Sequence, residues 1–424
     1  MAAHSLKQRH PAASVPLQEK KEEQRKIAER PHPGGAIKHG TWNQALRMLL
    51  FALYFNGSCI AILLTQLIGA PLYFYNKDLY YAWMAVTKQH FGIVLTQMTH
   101  WWAPVKMRIS GDESVRGQLR KTEQGLLECD FPERMVLISN HEIYTDWIYL
   151  WWISYTAKMH GHLYIILKES IKYIPLLGQG MMFYGFIFLS RKWAKDKERF
   201  AYRLQKLNSS HHGPLSGSQS LDPMWLLIFP EGTNLSANGR ASSKRWADKN
   251  QMEDMRHCML PRSTGLLFCL QELHNTVDWV YDCTVAYEGV PRGEYGQDIF
   301  TLRSTYFQAR RPKSVNMYWR RFAVKDIPID DTKEFEKWLL ARWGEKDDLL
   351  EYYVSNGRFP ADEGTSPAVN GAKPLKGAGH IETEVRPTNP FEFLQILVAP
   401  AALALVVNVI MKFISMVLRV LRIK

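Results

Sequence analysis

Residues 1–40 mix Lys, Glu, Gln, Pro and His without apolar periodicity. Such a stretch cannot bury enough surface to offset the entropy of ordering it, so residues 1–47 are expected to form a disordered, mildly basic arm. From Met48 to Asn76 no charged side chain occurs for 29 residues, more than the roughly 20 needed to cross a bilayer as a helix. Gly69 and Pro71 stand where this run could kink or turn, and Leu79–Trp102 is again aromatic and apolar, interrupted by Lys88, Gln89 and His90. Residues 48–104 are therefore expected as membrane-embedded helices, either two spans or a hairpin that enters and leaves one face.

After Pro104 the pattern changes to short β-rich runs separated by longer helical ones. Met135–Ser139, Leu163–Leu167, Tyr184–Leu189, Trp225–Phe229, Val280–Ala286 and Val315–Phe322 read as strands, and Arg191–Leu207 and Arg262–Leu273 as helices. This alternation predicts an α/β domain over residues 105–360 with a mixed, largely parallel sheet. Residues 208–223 read as a polar loop and 361–390, rich in Pro, Gly, Ala and Thr, as a flexible linker. Phe391–Met411 is apolar apart from Glu392, Gln395 and Asn408, and Lys412, Arg419, Arg422 and Lys424 follow it. Residues 391–424 thus form a second membrane helix with a basic tail, or a helix lying in the interface.

Composition narrows the class. The chain has 424 residues, 46% of them hydrophobic and 22% charged, which excludes disorder throughout, a collagen-like repeat or a disulfide miniprotein. Lys and Arg number 53 against 41 Asp and Glu, a net charge of +12. No nucleic-acid motif accompanies that excess, and two apolar anchors point to anionic phospholipid as the partner instead. The five cysteines form no C-x-x-C pair, so neither a zinc nor a redox site is expected. Gly178-Gln179-Gly180 lacks the third glycine of a dinucleotide fingerprint, and both G-x-x-x-x-G-K-[ST] and G-x-S-x-G are missing. No cleavable signal peptide is seen at the start of the sequence.

Four short features carry chemistry. Directly after the strand MVLIS comes Asn140-His141-Glu142-Ile143-Tyr144-Thr145-Asp146. Histidine at a strand exit can serve as a general base near neutral pH, and a carboxylate can fix its tautomer and stabilise the imidazolium. Five residues span about 500° of helix, so the two side chains meet only if His141 lies in the turn before a helix that Asp146 enters. Phe229-Pro230-Glu231-Gly232-Thr233 ends another apolar run, where backbone N–H groups can face a polyol phosphate; the competing reading is an ordinary turn with a capping Thr. Gly185-Phe-Ile-Phe-Leu-Ser-Arg191 delivers a guanidinium at a strand end, suited to phosphate but equally able to rest in solvent. Leu260-Pro261-Arg262-Ser-Thr-Gly265 could be a simple helix start with Pro at its first position.

In this order the four features resemble the sequence blocks of the glycerophospholipid acyltransferase family (1-acylglycerol-3-phosphate acyltransferase-like): N-H-x-x-x-x-D, G-x-x-F-[IL]-x-R, F-P-E-G-T and an apolar block with Pro. The resemblance spans about Val136–Pro360. It is closest to the lysocardiolipin and lysophosphatidylinositol acyltransferase branch through DWIYLWW (146–152), LSRKWAKDKERF (189–200), LLIFPEGTNLS (226–236), LPRSTG (260–265) and YDCTVAY (281–287). It implies a glycerol-3-phosphate acyltransferase-like αβ domain anchored by its membrane helices in the endoplasmic reticulum. It further implies that His141, oriented by Asp146, deprotonates a lysophospholipid hydroxyl for attack on acyl-CoA, without a covalent acyl-enzyme, a metal or a cofactor beyond acyl-CoA as co-substrate.

On the same resemblance, Arg191, Glu231, Gly232 and Thr233 would position the acceptor's glycerol phosphate and Pro261 would shape the acyl or acceptor channel. Lys168, Lys172, Lys192 and Lys244 are candidate contacts for acyl-CoA phosphates, or simply a solvated basic surface. No obligate protein partner is inferred. One departure is Asn234, where many lysophosphatidate acyltransferases carry Arg; its loss fits a phosphodiester head group better than a phosphate monoester. Phosphatidylinositol or cardiolipin remodelling is favoured. A 1-acyl-sn-glycerol-3-phosphate acyltransferase, a lipid hydrolase and a non-catalytic lipid-binding protein are the alternatives. Basic flanks on both anchors place the N-terminal arm in the cytosol, and Asn208-Ser-Ser would report lumenal exposure if glycosylated.

Overall fold

The computed structural model describes residues 31–213, 217–360 and 380–422. Two antiparallel helices, α1 (Thr41–Gly69) and α2 (Lys77–Trp102), precede the α/β domain. They pack because Gly69 leaves room for the Trp83 ring, 2.1 Å from where a Cβ would stand, and Trp83 Nε1–H donates to the Thr65 carbonyl at 2.8 Å. Outward-facing Leu49, Leu53, Ile60, Leu64 and Leu67 on α1 remain exposed. The second apolar stretch behaves differently from the expectation of a membrane-embedded pair. From Phe91 to Thr99 every residue of α2 is buried, with Phe91 edge-on to Trp151 at 5.2 Å. Lys88, Gln89 and His90 made this run too polar for lipid, and the domain covers it instead. Among the described residues, the segments long and apolar enough to cross a membrane are Thr41–Tyr75 and Glu392–Leu421.

The domain runs β1 (Lys106–Gly111), a small hairpin β2 (Leu119–Lys121) and β3 (Leu127–Cys129), then β4 (Arg134–Ser139) and α3 (Asp146–Thr156). Next come β5 (Leu163–Lys168), α4 (Leu177–Phe183), β6 (Ile187–Leu189) and α5 (Trp193–Leu207). A second small hairpin, β7 (Ser210–His212) and β8 (Gln219–Leu221), leads to β9 (Met224–Ile228), α6 (Ala237–Lys249) and α7 (Ser263–Leu273). The chain closes with β10 (Trp279–Tyr287), β11 (Ser314–Ala323), α8 (Thr332–Asn356), β12 (Ile381–Glu384) and α9 (Val398–Arg422).

Eight strands form one sheet in the order β12-β1-β11-β10-β4-β9-β5-β6. Only the pairings of β12 with β1 and of β10 with β11 are antiparallel; the other five are parallel. The alternation of strands with helices therefore produced the mixed, largely parallel sheet it predicts. Along β4, Met135 and Leu137 enter the core shared with α2 and α3, while Val136 and Ile138 enter the core shared with α5, α7 and α8. Period-two alternation with both faces covered is why the central strands read as uninterrupted apolar runs.

Several boundaries move. Tyr184–Leu189 contributes a strand only from Ile187, because Gly185, at φ +74°, turns the chain out of α4 first. Part of the expected linker is a strand: Ile381–Glu384 pairs with β1 in register from Lys106↔Glu384 to Ile109↔Ile381. Residues 361–379 of that expected linker lie outside the described residues, as do residues 1–30 of the expected arm. Residues 31–40 are seated on the domain, with His32 Nε2 3.0 Å from the Ile299 carbonyl and Gly34 tight against the Arg310 backbone. Asn208 is committed too: its amide donates to the Glu272 carbonyl at 2.6 Å and accepts from Thr276 Oγ1 at 2.6 Å. That geometry makes it a poor glycan acceptor once folded. Along α9, every side chain from Ala401 to Leu421 is exposed.

Candidate active site

The carboxyl ends of β4, β6 and β9 open on the same side of the sheet, the place where parallel α/β sheets form binding crevices. His141 lies in the turn after β4, and Asp146 is the first residue of α3, as the five-residue spacing requires. The His141 Nδ1–Asp146 Oδ2 distance is 2.8 Å. The same carboxylate oxygen accepts the N–H groups of Glu142 and Ile143 at 2.6 and 3.0 Å, so one side chain both closes the turn and holds the imidazole. Oδ1 accepts the hydroxyl of Tyr287, at the end of β10. Asp146 is fully buried, and its two oxygens are satisfied by donors from the turn after β4 and from the end of β10. With Nδ1–H directed at the carboxylate, Nε2 carries the lone pair and makes no hydrogen bond among the described residues. The ring stacks on Phe229, centroids 4.3 Å apart and planes 26° apart.

Glu231 is not placed to touch a phosphate. Its carboxyl is buried, with Oε1 accepting from His141 N–H and Oε2 from Met259 N–H, each at 3.4 Å. Burial pushes its pKa up to about 8 against the pull of those two donors. Burial, together with the charges of Asp146 and Glu231, also raises the neighbouring Glu142 well above the usual carboxylate range. Glu231 thus ties the β9 turn to the histidine loop, a positioning role. The two loops are joined again where Leu235 N–H donates to the His141 carbonyl at 2.6 Å.

Gly232 has φ +74°, a conformation that glycine enters without a Cβ penalty. A Cβ there would stand 3.5 Å from Arg262 Nε. Arg262 N–H donates to the Pro230 carbonyl at 2.8 Å, so the start of α7 is sewn to the turn, and Pro261 is buried just before it. Arg191 is exposed at φ +65°, between Ser190 and Lys192, whose N–H groups both donate to Asp196 at 3.0 and 3.1 Å. Burial, reinforced by the nearby charge of Arg262, lowers the Arg191 pKa. Arg191 and Arg262 thus bring two guanidinium groups near one another beside the turn, an arrangement suited to an anion. Thr233 is half-buried, and its hydroxyl lies 3.5 Å from Asn234, whose amide is held by Gln297.

The structure therefore brings together His141, Asp146, Arg191, Gly232 and the Glu231 backbone turn, and adds Tyr287 and Arg262, which sequence reasoning left without a role. Both stood inside quoted segments, YDCTVAY and LPRSTG, but neither composition nor spacing distinguished them from a strand aromatic and a helix-start cation. Of the lysines considered for the donor, Lys172 already pairs with Glu169 at 2.9 Å.

Comparison with known proteins follows the same outline. The acyltransferase family profile matches residues 107–288 and an acyltransferase C-terminus profile matches 306–388. A 2-acyl-1-lysophosphatidylinositol acyltransferase of Saccharomyces cerevisiae is 36% identical over 368 residues, covering 79% of this chain and 91% of the yeast protein. Lysocardiolipin acyltransferase 1 of Gallus gallus is 33% identical, covering 55% of this chain and 57% of its own length. A probable 1-acyl-sn-glycerol-3-phosphate acyltransferase 5 of Arabidopsis thaliana is 31% identical, covering 57% and 59%.

Proposed function

Because this chain belongs to the acyltransferase family, we propose that it transfers a fatty acyl group from acyl-CoA to a free hydroxyl of a phosphodiester lysophospholipid, in remodelling of phosphatidylinositol or cardiolipin. The observation that carries this reading is the imidazole of His141, fixed through Nδ1 by a fully buried carboxylate, with Nε2 making no hydrogen bond among the described residues and with Arg191 and Arg262 near each other at the neighbouring strand and helix ends.

The acceptor phosphate is held by Arg191 and Arg262, which sets its glycerol hydroxyl beside His141. Nε2 accepts the hydroxyl proton as the oxygen attacks the thioester carbonyl carbon. The charge that appears on the ring is stabilised by Asp146, whose two oxygens accept from four donors. The tetrahedral intermediate collapses with cleavage of the C–S bond, and CoA departs as the thiol with the proton from Nε2. No residue need be acylated. The two long apolar helices associate the protein with the membrane in which acceptor and product reside, and the endoplasmic reticulum is the membrane we assign.

A second reading, acylation of lysophosphatidate to phosphatidic acid, is favoured by the pairing of Arg191 with Arg262, which could balance a monoester dianion. Against it, Asn234 brings no third cation and its amide is already held by Gln297. The test is transfer from labelled acyl-CoA by membranes containing the wild type or His141→Ala, with lysophosphatidylinositol, monolysocardiolipin and lysophosphatidate as acceptors. Preference for either phosphodiester, lost in the variant, is the expected result. Preference for lysophosphatidate selects the second reading, and fatty acid release from intact phospholipid without CoA would replace transfer by hydrolysis.

A further inference from the structure

We propose that a cavity at the opposite end of the sheet from His141 is a second lipid site, which receives the phosphate of an anionic phospholipid. The cavity measures about 450 Å³, and Tyr80, Tyr81, Lys88, Tyr164, Arg203 and Lys206 are among its lining residues. Its position follows from the strand directions: Tyr164 is the second residue of β5, Met224 opens β9, and Gly185 precedes β6. These are amino ends of parallel strands, whereas His141 and Glu231 follow carboxyl ends.

Lys88 is the central observation. It is 2% exposed on α2, and its ammonium sits 3.5 Å from the centroid of the Tyr164 ring and 5.8 Å from that of Phe186. Among the described residues it makes neither a hydrogen bond nor an ion pair. A ring face offsets part of the desolvation of an ammonium but supplies no negative charge. Arg203 makes no ion pair among the described residues either, and Lys206 is held by the hydroxyls of Tyr81 and Tyr202. Against these three cations the lining offers one carboxylate, Asp222. It stands 3.8 Å from His211, whose other nitrogen is bound to Asp78 at 2.8 Å. The single charge of Asp222, which also acts on Lys88, does not balance all three cations, so the cavity carries excess positive charge, and cationic donors on a tyrosine-lined wall suit a phosphate carried on an apolar body.

The surroundings favour a lipid over a free phosphate. Tyr73, another wall residue, packs against Tyr80 at 5.2 Å and against Phe74 at 5.7 Å. Phe74 and Tyr75, 90% and 87% exposed, project from the tip between α1 and α2. Aromatic side chains bare at the end of an apolar helix belong at the head-group level of a bilayer, which sets the mouth of the cavity where a phospholipid phosphate lies.

The test is photocrosslinking of the full-length protein in detergent with a phosphatidic acid that carries a diazirine in its acyl chain. The comparison probe is the matching neutral diacylglycerol, and adducts are mapped by mass spectrometry. Saturable adducts on residues 73–84 or 179–185, at least about tenfold above those from the diacylglycerol, are expected, with a fall of about fivefold or more in Arg203→Gln, a change on the surface of α5. Lys88→Met, of similar length and uncharged, should lose the adducts while keeping the elution volume of the wild type. Equal labelling by the two probes, or labelling that Arg203→Gln leaves intact, would overturn the proposal. Loss of labelling in the presence of millimolar inorganic phosphate would overturn the lipid as ligand and reassign the cavity to a free anion. Adducts confined to residues near His141 or Phe229 would show that only the catalytic crevice binds lipid.

Discussion

Replacement of Tyr287 by Phe isolates the one donor to Asp146 that comes from across the sheet. The hydroxyl is buried and donates to Oδ1, while His141 and the Glu142 and Ile143 N–H groups all share Oδ2. Its removal leaves Oδ1 without a hydrogen bond, in a site from which water is excluded, and changes no volume elsewhere. A hydrogen bond to a charged group contributes about 1.5–3 kcal/mol, so the thermal midpoint should fall by several degrees. A carboxylate that has lost a donor is more basic, holds a proton on its imidazole partner more tightly, and raises the pKa of that imidazolium. Since acyl transfer needs Nε2 unprotonated, the acidic limb of the rate–pH profile should move to higher pH, with turnover on the plateau reduced by about tenfold as the ring loses its fixed orientation. The assay is initial-rate acyl transfer from pH 5 to 9 on wild type and Tyr287→Phe, with thermal unfolding of each. An unchanged midpoint together with a superimposable profile would refute the claim that Tyr287 sets the Asp146–His141 pair.

His141→Ala should reduce turnover by about 10² to 10⁴ while the thermal midpoint stays near wild type, because the ring contributes one bond to a turn held by several others. Arg262→Ala and Arg191→Ala should each raise KM for the lysophospholipid more than they lower kcat, and a loss confined to kcat would remove them from acceptor binding. For Glu231 the sign follows from its raised folded-state pKa of about 8. Its contribution to stability is complete below the unfolded value near 4.5 and is lost as pH rises through about 8, because unfolding then releases a buried proton. Glu231→Gln should therefore flatten the decline of the thermal midpoint between pH 5 and 8, and an unaltered slope would exclude Glu231 as its source.

Much of the fold was legible for a simple reason. A strand buried on both faces must be apolar along its whole length, so Met135–Ser139 and Trp225–Phe229 announced themselves, and the histidine and Phe-Pro-Glu-Gly-Thr turns were found at their ends. The outer two strands at one end of the sheet were not legible. Lys106–Gly111 and Ile381–Glu384 carry charges that pair with one another, Arg108 with Glu382 at 3.3 Å, and in sequence such residues look like loop. The helix Thr332–Asn356 was missed as well, although Asp331 caps it by accepting from Lys333 N–H at 2.8 Å and Glu334 N–H at 3.1 Å.

The order of motifs, the two long uncharged segments and the spacing of His141 from Asp146 are properties of the chain, and they were enough to place the reacting groups at strand ends beside a membrane. What covers a given apolar face, and what a given polar atom points at, depends on residues far away in sequence. Leu79–Trp102 had the composition of a membrane segment, yet the sheet and α3 buried it. Glu231 stood in a motif as a phosphate contact, and the fold turned its carboxyl inward to hold the histidine loop. Tyr287 reached Asp146 only because β10 lies beside β4, a pairing of residues 141 positions apart that no local pattern encodes.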